Sequence, residues 1–279
     1  MTLENTNVNS KCKIVDEHDF LLLLGDSFSL LKKIEARSID MIFADPPYFL
    51  SNDGISCQSG KMVSVNKAEW DKGVSTKEKL NFNRRWIKLC KNLLKDNGTI
   101  WISGTFHNIY AVGMALELEG FSIINNVTWH KKNPPPNISC RAFTHSTETI
   151  LWARKQLTPK KKGKHLFNYK DMKEINENKQ MKDVWEFNLT PKKEKTFGKH
   201  PTQKPLALLK RIILSSTKAG DVVLDPFSGS GTTGIAAYML GRKYIGIEKE
   251  LEFVEITRKR YNSAKDGIID GNKRRKADV

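Results

Sequence analysis

Two periods run through the chain. Short continuous apolar runs closed by turn residues mark buried strands, and apolar residues recurring every three or four positions mark helices. Asp19–Leu24 is the first such run, closed by Gly25-Asp26, and Asp40–Ala44 is the second. Between them Ser27–Glu35 carries Phe28, Leu31 and Ile34 at three-residue spacing, which predicts a helix. The second run stops at Asp45-Pro46-Pro47-Tyr48, where two prolines can continue neither a ladder nor a helix interior. Phe49–Gly73 is rich in Gly, Ser and Asn and has no period, so it reads as a long loop of the kind that is functional or disordered. From Lys77 to Lys95, Phe82, Trp86, Leu89 and Leu93 recur at helical spacing, and Asp96-Asn97-Gly98 is the expected stop. A strand over Thr99–Ser103, a helix over His107–Glu119 and a strand over Phe121–Trp129 follow. Asn133–Asn137 is a proline-rich extended break, and Glu148–Ala153 is another strand. Beyond residue 200 the pattern is helix (Pro205–Ser216), strand (Val222–Leu224), helix (Thr232–Leu240), strand (Lys243–Ile247) and helix (Leu251–Ala264). Alternating strands and helices predict an α/β layer fold with a mainly parallel sheet.

Composition narrows the class. At 279 residues the chain holds one large domain or two modest ones. Its apolar runs fall far short of the ~20 residues of a membrane span, and Met1–Lys13 lacks the apolar core of a signal peptide. Cys12, Cys57, Cys90 and Cys140 form no C-x-x-C pair, which argues against a zinc ribbon or a disulfide scaffold and fits a reducing, cytoplasmic setting. The histidines likewise lack metal-ligand spacing, so no metal site is expected. Lys and Arg number 47 against 31 Asp and Glu, a net charge of +16, which points to a polyanionic partner. Half of that excess lies in Arg154–His200, where 14 basic residues meet six acidic ones and Phe167, Tyr169, Trp185 and Phe197 are interleaved. The expected organisation is therefore one α/β domain made of residues 14–153 and 200–265, a basic insert over 154–199 as candidate recognition element, and flexible termini at 1–13 and 266–279.

Two turns carry the chemistry. In Asp221–Gly234 a strand runs into a glycine turn that opens a helix, with Gly229, Gly231 and Gly234 in G-x-G-x-x-G order. Glycine lets backbone and ligand approach closely, and a helix N-terminus offers unpaired N–H groups. The next strand ends in Glu248, an acid placed to accept from ribose hydroxyls. The pair predicts a nucleoside-containing cofactor. Asp225 at the strand end would repel a pyrophosphate but suit an ammonium or sulfonium charge, and no Lys follows the glycines as a P-loop requires.

The other turn is Asp45–Tyr48. Following a strand, it should lie at the carboxyl edge of the sheet, where α/β folds place ligands. Asp45 offers a carboxylate acceptor, Pro46 a carbonyl held by the ring of Pro47, and Tyr48 a ring for stacking on a base. Two acceptors and an aromatic face suit an exocyclic amino group on a planar base.

These two turns, D-P-P-Y at Asp45–Tyr48 and F-x-G-x-G at Phe227–Gly231, resemble the signatures of the amino-methyltransferases that use S-adenosyl-L-methionine to methylate DNA on an exocyclic nitrogen. Their order, catalytic turn first and cofactor turn last with a recognition region between, is that family's β arrangement, and His200–Pro205 matches its motif before the cofactor strand. Asp45–Asn52, His107–Gly113 and His145–Arg154 further resemble the DpnA-type adenine methyltransferases of type II GATC restriction-modification systems. The resemblance spans roughly Leu21 to Ala264 and implies a Rossmann-like twisted sheet with a basic target-recognition insert. Carried over, Asp45 and the Pro46 carbonyl would hold the adenine N6 amino group, and Tyr48 would stack on the base. Phe227 would pack on the cofactor adenine, Gly229 and Gly231 would admit its backbone approach, and Glu248 would hold its ribose. Asp225 and Lys204 would lie near its methionine end and Asp26 near its adenine edge, with Ser27, Pro226, Thr232 and Thr233 completing the set.

A base buried in a duplex must be flipped out to reach such a site, at a cost of a few kcal/mol. Nitrogen then attacks the methyl group in line, with no covalent enzyme intermediate. The loop after the catalytic turn is expected to close over the base, with Lys61, Lys67 and Trp70 on DNA, while Lys160, Lys161, Lys162, Lys182, Lys192 and Lys193 of the basic region hold phosphates. Expected partners are double-stranded DNA, with single strands as a further substrate, a second copy of the chain and an endonuclease acting on the same site, and no membrane. Asp45 favours adenine, since cytosine-N4 members usually carry Ser at that position. The competing readings are that cytosine-N4 activity, a non-catalytic DNA-binding module, which would not need both turns, and a nucleotide-dependent oxidoreductase, which would leave Asp45–Tyr48 unexplained.

Overall fold

The structure is a computed structural model that describes residues 8–49, 75–137, 140–156 and 164–267, and the backbone alone of 55–58, 61–64, 268–269 and 272–273. In chain order the strands and helices are β1 (Lys13–Glu17), β2 (Phe20–Leu24), α1 (Ser27–Leu30), β3 (Ile39–Ala44), β4 (Ile55–Gln58), β5 (Lys61–Ser64), α2 (Thr76–Leu93), β6 (Leu94–Gly104), α3 (Ile109–Leu118), β7 (Phe121–Lys131) and β8 (Thr147–Lys155). They continue with α4 (Tyr169–Ile175), β9 (Val184–Phe187), α5 (Leu206–Ser216), β10 (Val222–Asp225), α6 (Thr232–Met239), β11 (Lys243–Glu248), α7 (Leu251–Lys265), β12 (Ile268–Ile269) and β13 (Asn272–Lys273).

Nine strands form one sheet in the order β1-β2-β11-β10-β3-β6-β8-β7-β9. Its centre, from β2 through β6, is parallel throughout, and β8 reverses direction between β6 and β7. Both faces of the centre are covered, so its strands read as unbroken apolar runs. Leu21 and Leu23 turn to one core with Ile42, Trp86, Ile100 and Val112, and Phe20 and Leu22 turn to the other with Phe43, Trp101, Leu209 and Ile235. Each such side chain contributes about 1.5–3 kcal/mol on burial.

Connections from β3 pass to β6 on one side, and those from β10 pass to β11 on the other. The junction between β3 and β10 is therefore the switch point of the sheet, where α/β folds open a crevice at the strand carboxyl ends. Asp45 follows β3 and Asp225 ends β10, so the two predicted turns meet there.

Several elements differ from the pattern. β1, too polar to stand out, is present because it pairs antiparallel with β2 around His18-Asp19. The helix expected over Ser27–Glu35 is one α-turn followed by a 3-10 turn, Leu31–Lys33, a tighter winding that suits apolar residues spaced by three. The expected stop at Asp96–Gly98 lies inside β6, which pairs with β3 through a shift in register, so these residues bulge rather than break the strand. A hairpin, β4 with β5, interrupts the segment read as aperiodic loop. The basic segment supplies α4 and β9, and β9 pairs parallel with β7 to extend the main sheet. Among the described residues no helix is long and apolar enough to cross a membrane.

Candidate active site

The two turns line one cavity of about 250 Å³. Asp45, Pro46, Pro47 and Tyr48 border it on one side, and Asp225, Pro226, Phe227 and Gly229 on the other, with Asp26, Ser27, Lys204, Thr232, Thr233 and Glu248 completing the wall.

The Asp45 carboxylate sits in a dense set of donors. Its Oδ1 accepts from the Ser103 hydroxyl at 2.5 Å and from the Tyr48 hydroxyl, and its Oδ2 accepts from the Lys204 ammonium at 2.5 Å. A carboxylate offers about four lone-pair sites, so one remains, on Oδ2. Tyr48 is 5% exposed, and its hydroxyl also accepts from Lys204 at 3.0 Å. The Tyr48 hydroxyl is thus bonded to Asp45 while the residue borders the cavity, where the sequence assigned it to base stacking. Asn108 Nδ2 donates to the Pro47 carbonyl at 3.1 Å and fixes the proline turn to the start of α3.

Lys204 lies against the Asp45–Tyr48 turn. Its ammonium is buried between Asp45 and Glu148, the latter 3.5 Å away, and Glu148 in turn pairs with Lys131 at 2.7 Å. Burial alone would lower the Lys204 ammonium, but the two carboxylates outweigh it and hold it above the ordinary lysine range. Burial likewise pushes Glu148 up, and the Lys204 and Lys131 charges reverse the balance and leave it below the ordinary range. Sequence reasoning placed Lys204 toward a cofactor's methionine end. It did not single out Glu148, Lys131 or Ser103. Only strand pairing reveals them: Ser103 and Ile150 are partners across β6 and β8, beside the end of β3.

In the glycine turn, Gly229 and Gly231 take positive φ values of +53° and +74°. Glu248 Oε2 accepts from Gly229 N at 2.7 Å, and Oε1 accepts from the amides of Lys249 and Glu250. Burial pushes the Glu248 carboxyl up, partly offset by these amides. Asp225 accepts from the Thr233 hydroxyl at 2.6 Å and from Phe227 N at 3.0 Å. It is 2% exposed, and burial, opposed by these two bonds, raises its carboxyl to about 7. Phe227 packs edge-on to Trp86 at 5.4 Å while bordering the cavity. The Ser27 hydroxyl donates to the Pro226 carbonyl, and Asp26 caps α1 through Ser29.

Gly231 is engaged away from the cavity, and Thr232, which borders it, also meets a buried charge. A Cβ on Gly231 would meet Thr257 of α7 at 2.3 Å, so its close approach is to α7 rather than to the cavity. Thr232 accepts from the buried Arg260 guanidinium at 2.8 Å. Lys182, Lys192 and Lys193 are exposed, while Glu194, next after Lys193, is buried and caps α5 at Leu206 N, 2.9 Å. The side chain of Lys61, and all of Lys67, Trp70, Lys160, Lys161 and Lys162, lie outside the described residues.

A sequence profile described as DNA methylase matches residues 39–259, a span that contains both turns. The chain belongs to the DNA methylase family. Among its relatives are the type II methyltransferase M2.LlaDCHI of Lactococcus lactis subsp. cremoris, 62% identical over 247 residues (88% of this chain and 91% of that one), and M2.DpnII of Streptococcus pneumoniae, 62% identical over 245 residues (88% and 90%). The crystal structure of an M1.HpyAVI–SAM complex superposes with a TM-score of 0.62 at 32% identity, covering 87% of this chain and 99% of that one. The Rossmann-like sheet of this DNA methylase is thus shared with a relative solved in complex with SAM.

Proposed function

We propose that this DNA methylase is a site-specific type II enzyme that transfers a methyl group from S-adenosyl-L-methionine to N6 of adenine, in GATC, after flipping the base from the duplex. The reading rests on one observation: the acceptor turn Asp45–Tyr48 and the glycine turn Phe227–Gly229 border a single cavity at the switch point of the sheet. The residues fit the donor. Glu248 offers a carboxylate at the wall for hydroxyls, Phe227 a ring, Gly229 a backbone open to close approach, and Asp225 a buried carboxyl that a fixed cation would hold ionised. The bound donor supplies an electrophilic methyl group on sulfonium sulfur.

The chain's own residues position the nucleophile. Asp45 Oδ2 has a lone-pair site for one N6 hydrogen, and the Pro46 carbonyl takes the other. Accepting both hydrogens keeps lone-pair density on N6 and orients it. Lys204 and Ser103 fix the carboxylate in place, so little reorganisation is needed at the moment of reaction. The excess proton leaves N6 toward Asp45.

Residues 154–199 form the target-recognition region in this reading, and 14–153 with 200–265 the catalytic body. The exposed Lys182, Lys192 and Lys193 would meet phosphates. The partners are duplex DNA, a second copy of the chain and a restriction endonuclease sharing the site, in the cytoplasm. Incubating the protein with methyl-labelled donor and oligonucleotides carrying GATC, a permuted site or a single strand, followed by nucleoside analysis, tests it. N6-methyladenine in GATC alone is expected. N4-methylcytosine, or equal labelling of the permuted site, overturns it.

A further inference from the structure

The most exposed aromatic group among the described residues stands beside the catalytic edge, and the reaction as derived does not use it. Phe143 is 96% exposed, and Phe106 is 46% exposed. His145 stacks on Phe106, ring centres 4.5 Å apart at 23°, and His107 lies 3.7 Å from Phe106 on another side. The two loops that carry these rings are tied to the site. Phe106 follows β6, whose Ser103 holds Asp45, and Asn108 of the same loop holds the Pro47 carbonyl. The connection from β7 to β8 emerges at the same edge, because β8 runs antiparallel to β6 and begins where β6 ends.

The chemistry of this patch is specific. Residues 132–146 contain Lys132 and Arg141 and no acidic residue, and the β6–α3 loop, 105–108, contains none either. Lys132 pairs with Glu186 at 3.2 Å, which leaves Arg141 as the loop's cation, and exposed rings beside it suit a ligand with flat apolar faces and an anionic backbone, which is nucleic acid. A flipped adenine leaves a gap in the duplex with two unstacked base faces, and apolar side chains that enter such steps offset the lost stacking.

Resting on the adenine-flipping reading above, we propose that Phe143 enters the base stack at the position the target adenine vacates, with the Phe106–His145 pair as the shelf behind it and Arg141 on a flanking phosphate. Phe143 is then a positioning residue: it lowers the cost of the flipped state and touches no reacting atom.

The test compares Phe143→Ala and Phe143→Trp with the parent protein on duplex GATC, with 2-aminopurine in place of the target adenine for the fluorescence and with adenine itself there for the kinetics, since 2-aminopurine has no amino group at C6 to methylate, and on the same strand unpaired. On the duplex, Phe143→Ala should lose the fluorescence rise that reports unstacking and roughly tenfold or more of kcat/KM, the scale of one base–aromatic stack. Phe143→Trp should retain both. On the single strand, where no stack must be refilled, binding by anisotropy should change less than about threefold. Equal losses on both forms, or an unchanged duplex signal in Phe143→Ala, overturn the inference. A parent protein that unstacks no adenine and methylates no adenine instead overturns the functional reading itself.

Discussion

Asp45 carries three of its hydrogen bonds before any substrate arrives, and that occupancy makes single-residue predictions specific. Asp45→Ala should bind the methyl donor with near-parental affinity by calorimetry and yield no detectable methyl transfer; turnover near the parental rate would refute its role as acceptor. Lys204→Met removes the cation between two buried carboxylates, Asp45 and Glu148. Breaking a buried pair costs about 3–5 kcal/mol, so a clear fall in melting temperature should accompany the loss of activity. Asp225 gives a pH signature. Its carboxyl is raised to about 7, so the folded chain binds a proton there from about pH 4 upward that the unfolded chain lacks, and stability from this group falls as pH rises through that window. A cationic ligand favours the ionised form. Affinity for S-adenosyl-L-methionine should therefore rise with pH through about 7 and then level off, whereas adenosine, which lacks both the sulfonium and the ammonium, should show a flatter profile. Parallel profiles would exclude a charge contact at Asp225. At this scale the contiguous motifs were legible, because Asp45–Tyr48 and Phe227–Gly229 are short turns whose residue types have few other uses. Ser103, Glu148 and Lys131 were not, since they reach Lys204 or Asp45 only through strand pairing.

Among the elements, those whose burial pattern matches a single period were readable. α2, with Trp86, Cys90 and Leu93 on its buried side, and the unbroken runs of β2 and β3 are the clearest cases. Elements that exist through pairing escaped: β1 needs β2, and β9 needs the outer edge of β7. Turn residues misled where a bulge served instead, as at Asp96–Gly98 in β6. The glycine turn joins the two levels. Gly231 stands at φ +74° with Thr257 of α7 against it. Gly231→Ala should thus destabilise the chain by roughly 1–3 kcal/mol, visible as a lower denaturant midpoint. An unchanged midpoint would mean that α7 can move aside.

Over the whole molecule, the +16 net charge is legible from composition alone, but its use depends on where the fold puts it. β9 runs parallel to β7, so the chain that follows it, with exposed Lys192 and Lys193, emerges toward the edge that carries Asp45, and buried Glu194 ties it to α5. Duplex affinity should therefore fall steeply with salt. Each neutralised phosphate contributes about 0.9 to the slope of log K against log salt, and Lys192→Ala with Lys193→Ala should lower that slope by about two. An unchanged slope in the double variant would remove these lysines from the phosphate set.

The central sheet also dictates when the enzyme can exist during its own synthesis. β10 lies against β3, and Val222 N donates to Asp40 across 182 positions of sequence. Contacts so distant close late and slowly. A ribosome that has already delivered Asp45 must translate on through β10 before that strand can dock, so the nascent chain carries its acceptor turn without the wall that completes the cavity. Methylation competence is in this way deferred until β10 and the glycine turn after it have left the ribosome.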